Sequence, residues 1–244
     1  MSHDKLKACL LDLSLPIAQR THVSFLLRTQ GTPEAVEILS QALRNKADSP
    51  LMRHELAYIL GQIQNPSACP LLEEILRDTT DDVLVRHESA EALGAIGSIN
   101  NLPVLEEFAN DLAPEVSETC KIAVDLIKWR AQQADKEGGA VHTSFTSVDP
   151  APGFHEQETV ESLTAMLMDS SRSLFDRYRA MFSLRNLNSD EAAVALLRGF
   201  QDSSALFRHE IAYILGQMQR KATADGLIKV LRNTEVCIMV CVLK

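Results

Sequence analysis

The sequence predicts an all-α protein, a solenoid of short helical repeats arranged as two pseudo-symmetric halves. Two observations carry that prediction. The stretch Leu51-Met-Arg-His-Glu-Leu-Ala-Tyr-Ile-Leu-Gly-Gln-Ile-Gln64 returns as Leu206-Phe-Arg-His-Glu-Ile-Ala-Tyr-Ile-Leu-Gly-Gln-Met-Gln219, with eleven of fourteen positions identical at an offset of 155 residues. A third relative, Val85-Arg-His-Glu-Ser-Ala-Glu-Ala-Leu-Gly94, follows the first by 33 residues, from His54 to His87. A fixed period of about thirty residues marks stacked helical units, each burying its apolar face only against its neighbours.

Composition agrees. Hydrophobic residues make up 45% of the 244 positions and aromatics only 5%, a bias that favours helix over sheet. A net charge of −9 is the wrong sign for a phosphate backbone, which argues against nucleic acid and suits a basic protein partner. The five cysteines (Cys9, Cys69, Cys120, Cys237 and Cys241) are scattered without CxxC spacing, so neither a disulfide framework nor a zinc site is expected. No signal-like start and no apolar run of membrane-spanning length is present, and a cytoplasmic setting without membrane contact is expected.

Taken in order, Ile17 to Leu27 has helical spacing and a turn follows at Gly31-Thr-Pro33. Ala35, Ile38, Leu39 and Ala42 then share one helical face. Ser49-Pro50 opens the first Arg-His-Glu helix, which Gly61 and Asn65-Pro66 are expected to end. Leu71 to Leu76 predicts a short helix, Asp78 to Asp82 a turn, and the second Arg-His-Glu helix runs to Gly94. Leu102 to Phe108 and Val116 to Ala134 form the next pair. The latter keeps the 33-residue register but carries Cys120 and Lys121 where His and Glu are expected. Ankyrin and TPR signatures are missing, so a HEAT-like unit is the better description. The Gly-, Ser- and Pro-rich stretch from Gln132 to Gly153 reads as a linker. Three segments follow: a first half over 1–134, a linker over 135–156, and an incomplete second half over 157–244. Phe182-Ser-Leu-Arg185 in the second half answers Phe25-Leu-Leu-Arg28 in the first.

Imidazole and carboxylate together suit non-haem iron, and also zinc and manganese. Adjacent residues on a helix diverge by about 100°, so one His-Glu pair cannot chelate alone deep in a pocket. Neighbouring repeats instead place His54, Glu55, His87 and Glu88 side by side, with His209 and Glu210 as the matching pair of the second half. A single His-Glu at a helix start is ordinarily a solvated pair favoured by the helix dipole; three copies in one register point to metal ligands. Tyr58 and Tyr213, four residues beyond their histidines, read equally as supporting partners or as core. Gly61, Gly94 and Gly216 read as close-packing or terminating positions rather than chemistry.

The repeated Arg-His-Glu helices, the Glu-Ala-Leu-Gly-Ala-Ile-Gly97 ending and the Ser147-Val-Asp-Pro-Ala-Pro152 stretch resemble deoxyhypusine hydroxylase across essentially the whole chain. The resemblance implies a HEAT-repeat di-iron monooxygenase of two four-repeat halves. It implies two Fe(2+) per intact member, O2 as co-substrate, and hydroxylation of deoxyhypusine on the precursor of translation initiation factor five-A. By the same resemblance His54, His87 and Glu88 hold one iron and His209 a second. Glu55 and Glu210 lie at the same centre, where they help to bind the amine-bearing side chain.

The fourth pair that the period places at 242 and 243 is instead Val242-Leu243, with Lys244 after it. The expectation is therefore a C-terminally truncated form with one sound iron site and little or no activity. Two other readings stand beside the enzyme. A non-catalytic HEAT scaffold predicts no stoichiometric metal, and a bilin-lyase-like repeat protein predicts tetrapyrrole binding. Neither requires a carboxylate beside each histidine.

Overall fold

A computed structural model describes residues 2–133, 144–154 and 158–232. Every regular element among them is helical, and the chain divides into two compact units, Met1–Ala131 and Gln132–Lys244. The first holds α1 (His3–Leu11), α2 (Ile17–Gln30), α3 (Pro33–Arg44), α4 (Pro50–Ile63), α5 (Cys69–Arg77), α6 (Val83–Ile96), α7 (Leu102–Phe108) and α8 (Pro114–Gln133). The second holds α9 (Val160–Met168), α10 (Leu174–Leu187), α11 (Asp190–Leu196), α12 (Ala205–Met218) and α13 (Ala224–Leu231).

Local sequence sets most helix starts. Thr32, Ser49, Asp82, Ser173 and Ser204 each accept a backbone N–H from the first turn of the helix they precede. Two details depart from the sequence reading. Helix α1 precedes the first expected element and buries Leu6 and Leu10. Gly61 and Gly94 do not end their helices: α4 continues to a left-handed Gln64 and α6 to a left-handed Gly97. The two glycines set helix spacing instead. A Cβ on Gly61 would lie 2.8 Å from Ala92 Cα, and one on Gly94 would lie 2.8 Å from Ala123 Cβ. Small residues facing each other thus let α4, α6 and α8 stack closely.

A buried arginine ties each repeat to the next. Arg20, Arg53, Arg86 and Arg177 donate from Nε to the carbonyls of Leu10, Leu43, Leu76 and Leu167, at 2.8–3.1 Å. Each acceptor lies ten residues back, in the last turn of the preceding helix, where carbonyls lack helical partners. The same guanidinium groups pair forward with Asp48, Asp81, Asp111 and Asp202. Both members of the Arg53–Asp81 pair have side chains only 4% exposed. In two of the three Arg-His-Glu triplets the arginine, Arg53 or Arg86, is therefore a staple between repeats. A period of 33 residues linking Arg20, Arg53 and Arg86, and linking Asp48 to Asp81, was the sequence signal for it.

Candidate metal site

In the first unit α4 and α6 lie side by side, and their shared register brings the two His-Glu pairs together. His54 and His87 have ring centroids 5.4 Å apart at 47°. His54 Nε2 is 2.8 Å from Glu88 Oε2, and one donor atom from each of His54, His87 and Glu88 lies within 4.8 Å of the others. Both histidines are 0% exposed and Glu88 is 3% exposed. Burying a carboxylate costs several kcal/mol unless a cation or strong hydrogen bonds offset it. Two imidazoles with one carboxylate form a set that suits a divalent transition metal. Among the described residues this is the one such group.

Glu55, buried, falls outside that group. Its Oε1 is 3.7 Å from His54 Nδ1, on the other side of the ring from Glu88, as the angular divergence of neighbouring helical residues requires. Tyr58 is buried one turn further along α4. In α8 the register position of the histidines belongs to Cys120, whose thiol burial pushes up to about 12. In the second unit His209 and Glu210 are both buried on α12, 6% and 4% exposed. Tyr213, on the same helix, accepts a hydrogen bond from Gln217 at 2.8 Å. Positions 242 and 243 lie outside the described residues. No described helix is long and apolar enough to cross a membrane.

Stacked helix pairs enclosing two histidines and a carboxylate define the class: a helical-repeat protein with a buried group that could hold a metal ion. Comparison with known proteins narrows it. A family model described as HEAT repeats matches residues 4–84 and 36–124, and one described as a PBS lyase HEAT-like repeat matches residues 176–202. The chain is 45% identical to deoxyhypusine hydroxylase of Gallus gallus over 225 residues, 92% of this chain and 73% of that protein. It is 44% identical to deoxyhypusine hydroxylase of Homo sapiens over 233 residues, 95% of this chain and 75% of that protein. A solved structure of human deoxyhypusine hydroxylase in complex with glycerol superposes with a TM-score of 0.92 at 43% identity, covering 98% of this chain and 81% of that one. The chain belongs to the deoxyhypusine hydroxylase family, a family of enzymes. The lyase-type match covers no His-Glu pair.

Proposed function

We propose that this chain carries the chemistry of its family, hydroxylation of the deoxyhypusine side chain on the precursor of translation initiation factor five-A with O2 and two ferrous ions, its first-unit site being sound and its second short of the pair whose register positions Val242 and Leu243 occupy. The observation that supports the reading best is the buried convergence of His54, His87 and Glu88. Two histidines and one carboxylate with open positions are the ligand type of non-haem iron oxygenases. Bound iron would supply the activation of O2 and the attack on an unactivated C–H bond.

The chain's own residues have separate tasks. His54, His87 and Glu88 hold one iron, and burial keeps bulk water from them. We assign His209 to the second iron. Glu55 and Glu210 lie beside those histidines in sequence, and we assign them to the ammonium group of the substrate side chain. A buried carboxylate favours a cation there and fixes the reach of the chain. The net charge of −9 favours a basic loop around that side chain. Scattered cysteines without a disulfide pattern suit a cytoplasmic enzyme.

The test is iron per chain on anaerobically purified protein, read beside hydroxylation of a deoxyhypusine-bearing factor. Bound iron that disappears in His87→Ala supports the assignment. A parent protein that binds no metal, and still binds the factor after His54→Ala, would overturn it in favour of the scaffold.

A further inference from the structure

The motif Ser147-Val-Asp-Pro-Ala-Pro152, placed by sequence in a linker, is a built part of the second unit. It is not helical, yet Ala151 is 0% exposed. Its anchor is Arg185 of α10, the largest fully buried side chain described. The guanidinium donates to both oxygens of Asp149, at 2.8 and 2.5 Å, and to Ser147 Oγ at 3.2 Å. Ser147 Oγ in turn donates to Asp149 Oδ1 at 2.6 Å. Phe145 and Phe182 place their ring centroids 4.6 and 4.7 Å from the guanidinium carbon. Further along, Arg179 Nε donates to the Pro152 carbonyl at 3.2 Å, and the Phe154 N–H donates to Ser183 Oγ at 2.8 Å. A fully buried guanidinium stays charged, so its carboxylate is obligatory.

Arg185 also reaches α12. It donates to Gln217 Oε1 at 3.0 Å, while Gln217 Nε2 donates to Ser147 Oγ at 3.1 Å and to Tyr213 Oη at 2.8 Å. A guanidinium has no acceptor, so the Gln217 amide cannot flip; its nitrogen must face Ser147 and Tyr213. Glu210, Tyr213 and Gln217 follow the spacing i, i+3, i+7 and share one face of α12. The phenol oxygen is committed as an acceptor from Gln217, which turns its own proton away from that residue. The first unit offers a weaker version. The equivalent Arg28 is half-buried and donates to Gln62 at 3.4 Å, and no carboxylate among the described residues lies within ion-pair distance of it.

We propose that the strap at 147–149 and Arg185 are positioning elements for the His209–Glu210 pair. They fix the Gln217 amide, and through it the Tyr213 hydroxyl, on the face of α12 that carries Glu210. The inference rests on the assignment of His209 and Glu210 to the metal centre made above.

The experiment uses the whole chain. It contains three tyrosines, so 13Cζ-tyrosine NMR gives one resonance each for Tyr58, Tyr178 and Tyr213. Asp149→Asn and Gln217→Leu are expected to move the Tyr213 resonance in the same direction and leave Tyr58 in place. In a Co(II) titration both variants are expected to weaken, by about ten-fold, the binding that His209→Ala removes. Binding lost in His54→Ala is expected to stay unchanged. A purely structural strap would lower stability or move all three resonances without that selectivity. Should Asp149→Asn fail to fold, Gln217→Leu carries the same comparison. An unmoved Tyr213, or unchanged His209-dependent Co(II) affinity, overturns the inference alone. A His209→Ala variant that binds Co(II) like the parent overturns the assignment of His209, and the inference with it.

Discussion

Helices α4 and α12 share ten of fourteen residues, yet the arginine in the fourth position of each is used differently. Arg53, 3% exposed, donates to Leu43 O and to both oxygens of Asp81. Arg208 is half-buried and turns Nη1 onto the carbonyls of Asp202 and Ser203, in the loop just before its own helix. The sequence position equivalent to Asp81 is Val236. Near-identical helices thus acquire different roles from the acid that follows them. In a solenoid, the next repeat decides what a side chain does.

The site sharpens that contrast and gives the largest expected effect. His87→Ala should lower metal affinity in the first unit by at least about 100-fold, since a ligand counts for more than its supporting partners. His209→Ala should leave that first-unit binding as it was. Anaerobic Co(II) titration distinguishes the two. Equal losses from both variants would mean that the metals do not sort by unit, and the comparison would break.

The arginines come next. Arg53→Ala leaves the buried Asp81 carboxylate without its two-pronged partner, with only Lys46 at 4.0 Å, and should cost about 3 kcal/mol in urea unfolding. Among the described residues Arg208 bonds only to backbone carbonyls, at a half-buried site, and Arg208→Ala should cost about 1 kcal/mol. Matching costs would show that Arg208 has a buried acid partner after all. Gly61→Ala follows. Alanine is the better helix former by about 1 kcal/mol, but its Cβ would lie 2.8 Å from Ala92 Cα. Overpacking should win, with a net loss of about 1–3 kcal/mol in the same unfolding measurement.

Much of this was legible in the chain. Exact spacing gave the repeats, and the His-Glu register identified His54, His87 and Glu88 as residues that neighbouring helices bring together. Three features were not read. Helix α1 has only Leu6 and Leu10 on its buried face, too few for a periodic signal. The arginines were hidden by adjacency to the histidines, although they point to another neighbour. The strap at 147–154 has the composition of a linker, and only the buried Arg185, distant in sequence, makes it an ordered part. Glu55 was legible in part: helical geometry separates it from its own histidine's metal face, but no spacing rule says what it meets.

The smallest effect concerns the third position of the register, where Cys120 stands in line with His54 and His87. Burial, the largest cause, pushes its thiol up to about 12, with Asp111 adding to the rise. An unfolded thiol ionises near 8.5. As pH rises past that value the unfolded chain releases this proton first, so stability present below about 8.5 is lost as pH climbs. Between pH 8 and 9.5 the loss from this one group should be about 1 kcal/mol. Cys69, also raised by burial, adds its own share, which is why the parent must be read against Cys120→Ser. That variant should lose less stability than the parent between the two pH values, whatever its stability at pH 8. Identical slopes would mean that the thiolate is accommodated in the fold. Cys120 would then be a candidate ligand rather than the apolar end of the His-Glu series.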